Sequence, residues 1–155
     1  MDRTDYKIIR LLQNNARLSN KDLARQVNLA PSSCLARVRA LDQAGVFRGF
    51  HADVEPGVLG VGQQALIFVG LARHDRGVVD TFIEDMMALP EVVHVLNISG
   101  QMDYLLQVVA RDTGHLRNFA LDHLGSRPEV NRIETSLIFE QHSKHALPNL
   151  VTAAG

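Results

Sequence analysis

Residues 31–39, Pro-Ser-Ser-Cys-Leu-Ala-Arg-Val-Arg, set two hydroxyls and two guanidiniums close together in the chain. Hydroxyls and arginine forks hydrogen-bond base edges in a DNA major groove, so Ser32, Ser33 and Arg37 are candidate base readers. Lys21, Arg25, Arg39 and Arg48 flank them and suit phosphate contacts, which supply affinity and salt dependence without reading sequence. A second stretch, Ile98-Ser99-Gly100-Gln101-Met102-Asp103-Tyr104-Leu105-Leu106, offers different chemistry. Gly100 lets another backbone or a ligand carboxylate approach closely, and Asp103 can accept hydrogen bonds from an amine or a backbone N–H. The single Cys34, one position before Leu35 on a packed helix, reads as a small core residue. Of seven histidines, His142 and His145 are the closest pair and have no clear third ligand beside them, so neither a metal nor a cofactor is expected.

The first candidate stretch needs helices to present it. From Asp5 to Gln13, Ile8, Ile9 and Leu12 line one helical stripe, which Asn14-Asn15 interrupts. Ser19 and Asn20 are N-cap types before Lys21–Val27, where Leu23 and Val27 share a face. Asn28-Leu29-Ala30 makes a brief connection to a third helix opened by Pro31 and ended by Gly45. Leu35, Val38 and Leu41 form its predicted buried stripe, from which Arg37 points away. Two short helices so joined, the second richer in base, make a helix-turn-helix, and Val46–Val54 reads as an extended segment or small wing. Pro56, Gly57, Gly60 and Gly62 mark a hinge.

The second stretch belongs to a body with another rhythm. Ala65–Leu71 is an apolar run of strand length, followed by Val79, Phe82, Ile83 and Met86 at helical spacing, with Met86 and Met87 assigned to the core. Val92–Ile98 and Tyr104–Val109 form a predicted hairpin around Ser99–Asp103. Leu116, Phe119, Ala120 and Leu124 repeat the helical spacing, and Val130–Phe139 is a last strand. The fold class is therefore α+β: an N-terminal winged helix-turn-helix plus a C-terminal ferredoxin-like βαββαβ sandwich. The expected domains are the DNA-binding head (1–50), a wing and hinge linker (51–63), the ferredoxin-like body (64–142) and a tail (143–155). Two helices cover one sheet face, and a second copy of the chain is the expected cover for the other.

Composition agrees with this division. The 155 residues are 46% hydrophobic and 21% charged, close to globular averages. Residues 1–50 hold nine Lys/Arg against four Asp/Glu, net +5, and the remaining seven bases and thirteen acids give −6. A basic head on an acidic body points to a polyanion met by the head alone. With no membrane-length apolar run and no secretory pattern, the expected location is the cytoplasm, at the nucleoid. No Gly-rich phosphate loop, zinc motif or nucleophile elbow supports an enzyme. The central strand Tyr104–Val109 lacks the aromatic, basic character of an RNA-binding sheet.

Asp5 with Ile8 and Leu12, Arg17-Leu18-Ser19, Pro31–Val38 and Gly45-Val46-Phe47 resemble the winged-helix head of the Lrp/AsnC family, and Ile98–Leu106 resembles its effector-domain signature. The resemblance runs from about residue 2 to about residue 145. It implies a sequence-specific transcription regulator that is dimeric through the effector domain, often assembled into tetramers or octamers of chains, and commonly responsive to an amino acid. It places the effector near Gly100, Gln101, Met102, Asp103 and Tyr104 at a subunit junction, with Ser136 and Ile138 nearby. The sequence departs from the family in two places. Ala30 stands where Ser usually precedes the helix-opening Pro, and Gln101 where many members carry an acid, which argues against a leucine-type response. An architectural DNA-wrapping protein without ligand response is the alternative that the sequence leaves open.

Overall fold

A computed structural model of the chain describes residues 1–151, so the last four positions of the expected tail lie outside the described residues. Its contacts gather into two compact units, residues 1–53 with the tail from His142, and residues 54–141.

In the head, α1 (Arg3–Asn14) starts before the predicted Asp5 because Asp2 and Asp5 form a reciprocal capping box. Each carboxylate accepts from the other residue's backbone N–H, at 2.8 and 2.9 Å. α2 (Asn20–Val27) is capped by Ser19, whose Oγ accepts from the Asp22 N–H, and ends at Asn28 in the left-handed conformation. α3 (Pro31–Gln43) follows and gives way to Gly45 at φ +70°. Its buried stripe differs from the predicted one: Cys34 and Leu41 are buried with Val38 half-buried, whereas Leu35 is 38% exposed. Steps of i, i+3 and i+6 drift around a helix of 3.6 residues per turn, while Cys34, Val38 and Leu41, at i, i+4 and i+7, stay on one face. Burial also raises the Cys34 thiol above its ordinary pKa, consistent with an inert core residue. Ile8 and Leu12 of α1 and Leu23, Ala24 and Val27 of α2 complete this core. Residues 46–54 form no strand, so of the extended segment or small wing read there the chain shows a segment without strand pairing. A 3₁₀ turn at Pro56–Leu59 lies within the glycine-rich stretch read as a hinge.

The body follows the predicted order: β1 (Gln63–Leu71), α4 (Arg76–Met87), β2 (Val92–Asn97), β3 (Tyr104–Ala110), α5 (Thr113–Ala120, continued by a π-helical turn Leu121–Gly125) and β4 (Val130–Leu137). The sheet is antiparallel in the order β2-β3-β1-β4, the ferredoxin-like arrangement. Alternation along the strands sorts the two faces. Ile67, Val69, Tyr104, Leu106 and Val108 point into a core with Phe82, Met86, Leu116 and Phe119 from the helices. Met87, predicted in that core, is 53% exposed, because the next residue along a helix turns away from its neighbour's face. The opposite face carries Leu66, Phe68, Leu105 and Val109, all half-buried, and the exposed Leu96. Among the described residues, no helix is long and apolar enough to cross a membrane.

Candidate functional site

α3 exposes Ser32, Ser33, Leu35 and Ala36 near its start. The helix begins without a side-chain cap, since Ala30 sits in N-cap geometry with no hydroxyl to offer. Asn20 ties α2 to this start: its Nδ2 donates to the Pro31 carbonyl at 2.8 Å. The sequence pattern marks Asn20 only as a cap type, so this cross-helix link is invisible until the helices are placed.

The structure places the Arg37 guanidinium against carboxylates, not in the open position of a base reader. Its Nη1 donates to Asp2 Oδ2 and Asp5 Oδ1, both at 2.7 Å, which clamps α1 to α3. The Asp5 backbone N–H and then Arg37 hold the Asp2 carboxyl below its ordinary pKa. Asp5 and Asp2 in turn hold the guanidinium above its own. The missed signal is the capping box itself, which fixes two carboxylates at one helix start. Of the phosphate candidates, Arg25 pairs with Asp22 at 2.9 Å yet keeps a side chain 75% exposed. Lys21, Arg39 and Arg48 are exposed, and among the described residues they join no ion pair.

The loop between β2 and β3 is built around Asp103. Its backbone N–H donates to the Val69 carbonyl, and its own carbonyl accepts from the Ile98 N–H and from Asn97 Nδ2. Both side-chain oxygens are also engaged: Oδ2 accepts from the Leu71 N–H and Oδ1 lies against His74 Nε2, each at 2.7 Å. The Leu71 N–H is the main reason its carboxyl sits below the ordinary range, with His74 adding to it. Of the two partners the sequence reading offered Asp103, an amine or a backbone N–H, the chain itself supplies the second through Leu71. Gly100, at φ +132°, has open space where a Cβ would stand, so backbone conformation rather than close approach calls for glycine there. Gln101 is exposed, while Met102 and Tyr104 are buried, Tyr104 with its ring against Phe82.

Strand register separates the remaining candidates. Ser136 pairs with Leu66 on the open sheet face, and Ile138 follows in the same alternation, whereas Tyr104 pairs with Val69 on the helix-covered face. One chain thus does not bring Ser136 and Ile138 together with Tyr104. A 340 Å³ cavity, within the size range of small-ligand sites, lies between the start of α4 and Pro128-Glu129, away from the predicted loop residues. Among the described residues, no three His, Cys, Asp or Glu side chains group as a metal site would require.

A helix-turn-helix head joined to a ferredoxin-like body defines a class of two-part regulators, and comparison with known proteins agrees. The family described as "Lrp/AsnC ligand binding domain" matches residues 64–148, and that described as "Winged helix-turn-helix DNA-binding" matches residues 1–48. The chain is 41% identical over 148 residues to the HTH-type transcriptional regulator AldR of Mycolicibacterium smegmatis, covering 96% of this chain and 86% of the relative. It is 34% identical to the transcriptional regulator AzlB of Bacillus subtilis, covering 93% and 92%. Among solved structures, a transcriptional regulator from Neisseria meningitidis, crystallised as an L-Met complex, superposes with a TM-score of 0.88 at 34% identity, covering 96% of this chain and 97% of that one. The chain belongs to the Lrp/AsnC family of transcriptional regulators, with a helix-turn-helix for DNA and a ligand-binding domain.

Proposed function

We propose that this regulator reads duplex DNA through Ser32 and Ser33 at the start of α3, with Lys21, Arg25, Arg39 and Arg48 on phosphates. An amino acid held by the 98–103 loop where copies of the chain meet then sets its occupancy. The observation that carries this reading is the exposed, hydroxyl-bearing first turn of α3 on a head braced by Arg37 and Asn20. The effector arm is supported by the L-Met complex of the Neisseria relative and by the exposed Gln101 beside Gly100, whose positive φ suits glycine. With Asp103 engaged internally, the ligand ammonium meets Gln101 and loop carbonyls, while Ser136 and Ile138 come from a second copy. The protein works in the cytoplasm, at the nucleoid. An effector shifts DNA occupancy only as far as it prefers one assembly state, and a coupling of about 1–3 kcal/mol gives a change of roughly 5- to 150-fold.

The test is equilibrium binding to DNA upstream of the protein's own gene and to an unrelated duplex of equal length, across a salt series, with and without a panel of amino acids. Selective binding that falls with salt and moves at least fivefold with one amino acid is the expected result. Equal binding to both duplexes, unmoved by any amino acid, would leave the architectural role instead.

A further inference from the structure

The head carries a second concentration of positive charge, away from α3. Arg3, Lys7 and Arg10 recur at i, i+4 and i+7, one stripe of α1. The stripe lies on the side opposite Ile8 and Leu12, which pack into the core with α2 and α3. It forms one wall of an open groove of 1460 Å³, whose other walls are residues 46–51, bearing Arg48, and residues 144–149, bearing Lys144. The tail is fastened there: the Leu147 N–H donates to Gln13 Oε1 at 2.7 Å, and His145 Nε2 lies 3.5 Å from Asp53 Oδ2. Among the described residues no Asp or Glu lines the groove itself, and Asp53 meets only its His145. The head's ion pairs engage Arg25, Arg37 and His145, and among the described residues none engages Arg3, Lys7, Arg10, Arg48 or Lys144.

Five cations that no carboxylate pairs with among the described residues are costly to hold together unless an anion faces them. A groove of this volume exceeds the roughly 300–1,000 Å³ of small-ligand pockets, and it is open. Its stripe from Arg3 to Arg10 runs about 10 Å along α1, the axial span of about three phosphates on one DNA strand. We propose that the groove between α1, residues 46–51 and the C-terminal tail is a second binding surface for the phosphate backbone of duplex DNA. The head then has a DNA-facing surface besides the start of α3, with Arg48 counted toward both, and a single chain can touch a bent or wrapped duplex twice. This rests on the reading of the head as a DNA-binding unit and adds the tail to it.

The experiment compares the full-length protein with its Lys7→Gln/Arg10→Gln/Lys144→Gln variant on operator and unrelated duplexes of about 150 base pairs, a length that permits bending. Circular dichroism and thermal unfolding of both proteins check that the head stays folded. A third protein, Lys144→Gln alone, reports on the tail. Each lost phosphate contact lowers the slope of log K against log salt by about 0.9, so the triple variant should lose roughly 2–3 units and the single variant about one. Both duplexes should weaken equally, leaving the preference for the operator intact. Unchanged slopes in a folded triple variant overturn the proposal while leaving the α3 reading standing. A wild-type protein that binds neither duplex overturns both. Loss of self-association with unchanged DNA slopes assigns the groove to the acidic body of a second copy and also overturns the proposal.

Discussion

Both carboxylate oxygens of Asp103 serve the chain itself, one on the Leu71 N–H and one on His74, so this residue ties the hairpin loop to the end of β1. Because its folded pKa is depressed, its contribution to stability is complete above the ordinary Asp value near 3.9 and is lost as pH falls through the folded value. Asp103→Asn should therefore cost about 1–2 kcal/mol at pH 7 and much less at pH 3, measured as urea midpoints. A cost that is equal at both pH values would remove the carboxylate from this role. The sequence shows that an acid sits in the loop, but not which partner reaches it first, because Leu71 and His74 are about thirty residues away. Arg37 teaches the same lesson: its position on α3 is legible, while the two carboxylates that claim it come from the opposite end of the head.

Helix ends are more legible than helix faces. Ser19, Pro31 and Gly45 each mark the boundary that the structure draws, since caps act through the residues beside them. The buried face of α3 is displaced because three apolar residues at i, i+3 and i+6 mimic a stripe; Cys34 is buried as the sequence indicates, and what packing adds is that Leu35 beside it is left outside. The one helix start in the head without a hydroxyl or carboxylate cap is that of α3, where Ala30 has φ −64° and ψ 144°, a backbone already suited to a capping side chain. Ala30→Ser should stabilise the head by about 1 kcal/mol, seen as a higher urea midpoint at an unchanged slope. An unchanged midpoint would mean that Pro31 and the Asn20 link already satisfy this terminus.

At the scale of the molecule, the body buries one face of its sheet under α4 and α5 and leaves Leu66, Phe68, Leu105, Val109 and Leu96 on the other. The alternating pattern foretold that face, but no feature of one chain names its cover. If a second copy supplies it, light scattering should give at least twice the 17.1 kDa chain mass, and Leu66→Asp should return the protein to a monomer with its circular dichroism retained. A wild-type monomer would remove the sheet from the assembly. The clamp from Arg37 to Asp2 and Asp5 has a consequence for the lineage as well as for the molecule. It divides α3 by task along its length, with the side chains proposed to meet DNA near the start and the anchor a turn beyond. On that proposal, substitutions at Ser32 and Ser33 leave the anchor untouched, so binding preference is separable from the scaffold that presents it.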